Sequence, residues 1–500
     1  MKVLEKAVES AVVYRQDTNE EHKKCFGQYF TPHEVSHFMS SLFNIENLGK
    51  NISILDPGAG TGTLSISLIE HILSSLNEKL EICLTAYEID KKVANILNTN
   101  LTSLKEKCSE KGINFAFNII QEDFVTLNHK VLNKNSSFKT AKYDLIISNP
   151  PYFKLNKTNP LTKLVSVLKI TNIYAAFSAI SALLLKPKGQ TVFIIPRSFA
   201  SGVYFEKYRE FLFKNLKIEK IHLFKSRKKA FKEEKVLQEN LIYMAVPKIH
   251  NETYKVRITT SEGIKDLSKN NFRLYSIDYL IDLHSKHYFL FLPTSNQDEY
   301  LINYFKKFKN LLADFKLTVS TGPVVNFRSK PNLTSYSEKL VPLIWLNNVM
   351  HGYIEFPIKS KFNKQSLILD SKIEKQLRAN DNYILVRRFS TKDDERRIIA
   401  APLLKDDYNF DRFGFENKLN YIYSKEIKLS KYMTKGISHL LNTNIYDNYF
   451  SIFNGNTQVS ATELKNIPFP NKKTIIEIGE LNYKSMEDLN LKIETILDSI

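Results

Sequence analysis

Along the first 250 residues, short apolar runs that stop at turn residues alternate with segments whose apolar positions recur at helical spacing. Asn51 to Asp56, Ile82 to Tyr87, Phe115 to Ile120, Asp144 to Ser148, Gln190 to Pro196, Ile218 to Phe224 and Leu241 to Val246 read as seven buried strands. Between them, Val35, Phe38, Met39 and Leu42 fall on one helical face, and Leu64 to Leu76 and Ile173 to Leu185 are helical runs. Strands that alternate with helices predict an α/β domain around a largely parallel sheet. From about 250 to 285 the pattern loosens at Glu262-Gly263 and Asn270-Asn271, which places a boundary there. The remainder mixes short runs with aromatic-rich loops and ends in a helix from about Asp488 to Ile500. The expected divisions are 1–250, a connection over 251–289, a second domain over 290–470 and a helical segment over 471–500. Residues 1–26 read as a polar helix and a charged link to which no chemistry is assigned.

Composition narrows the partners. Lys+Arg 71 against Asp+Glu 53 gives a formal charge of +18, and aromatics make up 12% of the 500 residues, so a polyanion is the expected partner. No run approaches the roughly 18 apolar residues of a spanning helix, and Met1-Lys2-Val3-Leu4-Glu5-Lys6 has no apolar signal core, which predicts a cytoplasmic protein with no membrane partner. Cys25, Cys83 and Cys108 are far apart and form no Cys-x-x-Cys, which argues against a disulfide framework and a zinc ribbon.

Chemistry concentrates where the strands end. Asp144 to Ser148 runs into Asn149-Pro150-Pro151-Tyr152. Two prolines fix φ and remove two backbone donors, so this turn offers an amide side chain and a bare carbonyl as acceptors beside an aromatic ring. That set suits a planar substrate carrying an –NH2 group. Asn51 to Asp56 leads into Pro57-Gly58-Ala59-Gly60-Thr61-Gly62 and then a helix, the nucleotide-binding half of an α/β unit. Thr63 stands where a dinucleotide fingerprint needs glycine, and the Gly-Lys-Ser/Thr of a P-loop is missing. The second strand ends at Glu88-Ile89-Asp90, which puts an acid where a ribose diol lies in such folds, and the third at Asp123-Phe124, an acid and a ring suited to an adenine.

Upstream, Thr31-Pro32 with Glu34 three positions on predicts a capping box and a helix start. The same helix spells His33-Glu34-Val35-Ser36-His37, the H-E-x-x-H of zinc hydrolases. Glu34 already has a use in the cap and no third ligand follows, so no metal is expected. The basic run from Lys225 to Lys232 is either a solvated hairpin tip or a phosphate contact. In the second half, Val325 to Lys330, Val386 to Phe389 and Asn454 to Gln458 interleave amides, basic groups and rings, as duplex recognition requires.

In their order, these motifs resemble the gamma class of DNA adenine-N6 methyltransferases from type II restriction-modification systems. Gly27-Gln28-Tyr29-Phe30-Thr31-Pro32 is similar to the family's N-terminal cofactor motif, Asp56 to Gly62 to its glycine loop, and Asn149 to Tyr152 to its catalytic motif. The resemblance implies S-adenosylmethionine as cofactor. It would be held by Tyr29, Thr31, Pro32, Asp56, Pro57, Gly58, Ala59, Gly60, Gly62, Glu88 on the ribose, Ile89 on the adenine ring, Asp123, Phe124 and Asn149. It further implies catalysis by Asn149, Pro150, Pro151 and Tyr152, with Phe231 as the second aromatic against a flipped base. The implied fold is a seven-stranded Rossmann-like S-adenosylmethionine-dependent methyltransferase domain followed by a mixed α+β DNA-recognition domain. Val319-Ser320-Thr321-Gly322-Pro323 and the segment from Arg387 to Arg397 look like recognition domains of this group. The implied partners are double-stranded DNA and a separately encoded restriction endonuclease, with the methyltransferase acting as a monomer.

Three other readings compete. Asn-Pro-Pro-Tyr with a similar loop also occurs in methyltransferases acting on protein glutamine or on RNA amines, whose chains are shorter. A non-catalytic DNA-specificity module would not need both motifs intact. Glu426-Ile427-Lys428 spells a Glu-x-Lys string found in nucleases, but no Pro-Asp partner sits on a neighbouring strand pattern, so methylation without cleavage is expected.

Overall fold

The computed structural model describes residues 3–18, 30–76, 79–133, 142–225, 239–249, 253–267, 271–281, 286–359, 364–390, 396–455 and 458–500. The chain divides into two compact units, Met1–Thr294 and Ser295–Ile500.

The first unit is built on one sheet, in the order β3-β2-β1-β4-β5-β7-β6-β8-β9. β1 (Asn51–Pro57), β2 (Glu81–Tyr87), β3 (Asn114–Ile120), β4 (Tyr143–Ser148) and β5 (Leu185–Pro196) pair in parallel. β7 (Asn240–Pro247) runs antiparallel between β5 and β6 (Leu216–Phe224). Strand side chains alternate between faces, and both faces are covered. Leu55, Ile146, Phe193, Ile195 and Leu241 enter one core with α6 (Ile173–Leu184) and α7 (Glu206–Asn215). Ile54, Leu145, Ile147, Val192, Ile194 and Ile242 enter the other, with α1 (Val3–Asp17), α2 (His33–Ser41), α3 (Thr63–Ser75) and α4 (Lys91–Glu110).

The sheet has nine strands where the apolar runs predicted seven. Residues 251–289, expected as a connection, carry β8 (Lys255–Ser261) and β9 (Phe272–Ser276). They lie at the end of the sheet, with β9 as its edge strand. In β8 only Val256, Ile258 and Ser261 are buried, with Arg257 and Thr259 between them, so the strand alternates instead of reading as a continuous apolar run.

The second unit holds a four-stranded sheet, with Leu317–Thr321, Leu419–Ser424, Tyr383–Arg387 and Ala400–Leu403 side by side in that order, and a five-stranded one, with Leu333–Thr334, Ser366–Leu367, Val341–Ile344, Arg412–Phe415 and Arg378–Ala379 in that order. Its helices include Lys431–Leu441 and Lys472–Glu480, whose backbones approach so closely that a Cβ on Gly436 would overlap the Ile475 carbonyl. Ile475 and Ile478 are fully buried, so residues 471–500 share the core of this unit and are not an appended segment.

Candidate active site

Strand order reverses between β1 and β4, since β2 and β3 lie beyond one and β5 beyond the other. In an open parallel sheet a ligand lies outside the strand C-termini at this switch point. β1 ends in Pro57 and β4 in Ser148, so the glycine loop and the Asn149 turn leave the sheet from adjacent strands.

The loop has the backbone its glycines allow. Gly58, Gly60 and Gly62 have φ of +123°, +56° and +90°, a region open to glycine at little cost. Gly62 starts α3, while the Ala59 N–H donates to the Tyr87 carbonyl at 2.8 Å and the Gly60 N–H to Glu88 Oε2 at 3.0 Å. The other Glu88 oxygen accepts the Asp90 N–H at 2.9 Å. Glu88 is therefore fixed by the backbone of two loops, and its carboxylate keeps lone pairs for further donors. Asp56 is fully buried at the end of β1; Oδ2 accepts from the Ser65 hydroxyl at 2.5 Å, and Oδ1 has no hydrogen-bond partner among the described residues. Burial pushes Asp56 up to about 7, the Ser65 bond resists, and the Glu88 charge adds to the rise. Burial likewise pushes Glu88 up to about 7, against the N–H groups of Asp90 and Gly60. Two buried acids that repel each other, one with an orphaned oxygen, suit a ligand that brings positive charge and hydroxyl donors.

Of the other cofactor candidates, Ile89 is 48% exposed next to Glu88. Asp123 caps α5 (Phe124–Asn128) by accepting the Thr126 N–H at 2.6 Å. Phe124 is buried, edge-on to Tyr87 and tilted against Phe177, both with ring centroids at 5.1 Å. Phe177 in turn lies 3.4 Å from where a Cβ on Gly58 would stand, so the ring cluster supports the loop from below.

The turn after β4 is held from three directions. Asn149 Nδ2 donates to Thr31 Oγ1 at 3.1 Å, and the Tyr152 hydroxyl donates to Asn149 Oδ1 at 2.8 Å. The same hydroxyl lies 3.0 Å from the Ile194 carbonyl on β5, so one proton is shared between two acceptors. Pro150 is buried and Pro151 half-buried. The Tyr152 ring packs edge-on to Tyr174 at 6.2 Å.

The capping box expected at Thr31 does not form. The N-cap is Pro32, with no side-chain bond to the helix, and α2 starts at His33. The Thr31 hydroxyl is spent on Asn149 instead, a partner from 118 residues away that no local pattern could reveal. His33 and His37 face each other on α2 with ring centroids at 4.5 Å. Among the described residues no three His, Cys, Asp or Glu side chains are grouped to hold a metal. Tyr29, Phe231 and the basic residues from Ser226 to Lys232 lie outside the described residues. Sequence reasoning passed over Phe30, whose ring lies 3.4 Å from the position of a Gly60 Cβ, and the Ile194 carbonyl, which acts through backbone and carries no residue signal.

An acidic cradle at the ends of β1 and β2, beside an amide and two prolines at the end of β4, is the arrangement of a Rossmann-like S-adenosylmethionine-dependent methyltransferase. Comparison with known proteins narrows this. The Eco57I restriction-modification methylase family matches residues 69–231. The type II methyltransferase M.BsuBI of Bacillus subtilis is 34% identical over 485 residues, which cover 96% of this chain and 94% of that one. M.PstI of Providencia stuartii is 32% identical over 93% of this chain and 92% of its own. The chain belongs to the type II restriction-modification methyltransferases, and S-adenosylmethionine is its cofactor. A solved DrdV–DNA complex, 14% identical with a TM-score of 0.50, covers 93% of this chain and 58% of that one and shares the fold.

Proposed function

We propose that the protein is a site-specific DNA methyltransferase of the gamma class that modifies adenine N6 in duplex DNA, protecting host DNA in a restriction-modification system. The observation that carries this reading is the Asn149 carboxamide, fixed by Thr31 and Tyr152 at the mouth of the sheet beside the glycine loop.

S-adenosylmethionine supplies an electrophilic methyl group on its sulfonium. The chain's own residues supply position and polarity. Asn149 Oδ1 accepts the Tyr152 hydroxyl, which orients the amide, and would accept one N6–H of the base. The Pro150 carbonyl accepts the second N6–H. Adenine N6 is a poor nucleophile because its lone pair is delocalised into the ring, and hydrogen bonds to these two acceptors favour a pyramidal nitrogen with that pair directed at the methyl. Nitrogen would take the methyl as the methyl–sulfur bond breaks, the sulfonium leaving as a neutral thioether, and would then release one proton to water, so no metal is needed. A stacked base must first leave the helix, at a cost of a few kcal/mol that contact with Tyr152 and Phe231 offsets. Glu88 accepts the ribose hydroxyls, and the second unit reads the DNA sequence, consistent with the formal charge of +18. The enzyme acts as a monomer in the cytoplasm, beside an endonuclease encoded separately.

The test is incubation with labelled S-adenosylmethionine and duplex DNA, RNA or protein, followed by base-resolution sequencing of the DNA. N6-methyladenine at one defined site is the expected result. Label in RNA or protein alone, or on cytosine, would overturn the assignment.

A further inference from the structure

The polar helix α1 has no chemistry in its spelling, yet it is wired into the cofactor cradle. Leu4 and Ala7 enter the core formed with α2, α3 and α4. The Tyr14 hydroxyl donates to Asp90 Oδ2 at 2.6 Å in a buried contact. The Thr61 hydroxyl, inside the glycine loop, donates to the Ala7 carbonyl at 3.0 Å, and the Thr61 carbonyl accepts from Asn100 Nδ2 at 2.9 Å. The Tyr14 ring also meets Phe30 edge-on at 6.0 Å, and Phe30 is the ring beside Gly60.

Asp90 is the junction. Its Oδ1 caps α4 by accepting the N–H groups of Lys92 at 2.9 Å and Val93 at 3.3 Å, its Oδ2 takes the Tyr14 hydroxyl, and its own N–H donates to Glu88 Oε1 at 2.9 Å. A hydrogen bond from tyrosine to a buried carboxylate is charge-assisted and fixes both groups. The Asp90 backbone, and with it one of the N–H groups that orient Glu88, is therefore anchored from α1.

We propose that α1 is an integral part of the S-adenosylmethionine site, with Tyr14 a positioning residue that holds Glu88 in place through Asp90, so that cofactor binding and docking of α1 stabilise each other. This rests on the assignment of Glu88 to the ribose hydroxyls. Coupling of this kind is reciprocal: if the docked helix favours the bound cofactor, the bound cofactor must favour the docked helix by the same factor.

Two measurements test it on the full chain. In the wild-type protein, saturating S-adenosylmethionine should slow hydrogen exchange of the α1 amides as well as those of the glycine loop. In Tyr14→Phe, which removes only the hydroxyl, calorimetry should show cofactor Kd weakened about three- to thirtyfold, from the loss of a charge-assisted hydrogen bond felt partly at the ligand. The KM for cofactor should rise with it, while kcat at saturating cofactor falls less than twofold. A Glu88→Ala arm separates the two assignments. If Glu88→Ala weakens cofactor while Tyr14→Phe leaves Kd unchanged and α1 exchange ignores the cofactor, the coupling is wrong and the ribose assignment stands. If Glu88→Ala leaves Kd unchanged, the ribose assignment itself fails.

Discussion

Asn149 and Thr31 are 118 residues apart in the chain, and a 3.1 Å hydrogen bond joins the amide of one to the hydroxyl of the other. That bond sets which way the carboxamide points, and so where its oxygen stands. Thr31→Val, which keeps the shape and removes the acceptor, is expected to lower the single-turnover methylation rate about three- to tenfold, the effect of a bond worth roughly 0.5–1.5 kcal/mol. Thr31→Ser should stay within about twofold of wild type. Equal rates for Val and Ser would show that the bond does not orient the amide.

Asn149→Ala removes the acceptor itself. Cofactor affinity and duplex affinity should be nearly kept, while the single-turnover rate falls at least about a hundredfold, as for an oriented group worth about 2.7–4 kcal/mol in the transition state. A near wild-type rate would falsify the turn as the catalytic site.

The two buried acids make cofactor binding depend on pH. Asp56 and Glu88 are both raised to about 7 in the free protein, from 3.8 and 4.5. Raised carboxyl values stabilise the fold fully below the ordinary values, and that contribution is lost as pH rises from about 4 through about 7. A ligand that brings positive charge and hydroxyl donors favours the ionised forms and lowers both values again. Cofactor Kd should therefore tighten as pH rises through about 7 and level off above it, with proton release on binding in that window. Titration calorimetry in buffers of different ionisation enthalpy measures this directly; proton uptake would contradict the placement of the cofactor beside these acids.

Gly62→Ala should be more damaging than Gly112→Ala, although both positions have positive φ, +90° and +70°. At Gly62 a Cβ would also stand 2.8 Å from Leu97 Cδ1, whereas at Gly112 nothing lies within 4 Å. Backbone strain alone costs on the order of 1–3 kcal/mol, and the added clash should lower the melting temperature of the Gly62 variant further. Similar melting temperatures for the two would remove the steric contribution.

His33→Ala with His37→Ala should leave methylation within about twofold of wild type, and chelator should not reduce it, because the proposed alkylation of an amine needs no Lewis acid and gives these rings no ligand role. Stoichiometric zinc lost together with activity would count against this.

Pieces whose physics is local are legible in the residue order. Buried parallel strands announce themselves as apolar runs, so β1 to β7 could be located, and the positive φ of the loop glycines follows from their residue type. The order of glycine loop, acid and Asn-Pro-Pro-Tyr turn was enough to indicate a cofactor class. Contacts between partners distant in the chain are not legible there. β8 and β9 extend the sheet from an edge where one-sided burial erases the apolar run. The Thr31 hydroxyl serves Asn149 in place of its own helix, because folding brings the half-buried carboxamide within hydrogen-bond reach from 118 residues away. The helix that looked chemically empty reaches Asp90 across 76 residues through Tyr14, since folding brings the end of β2 against it. Spelling reports what a residue can do; which neighbour it does it to is set by packing.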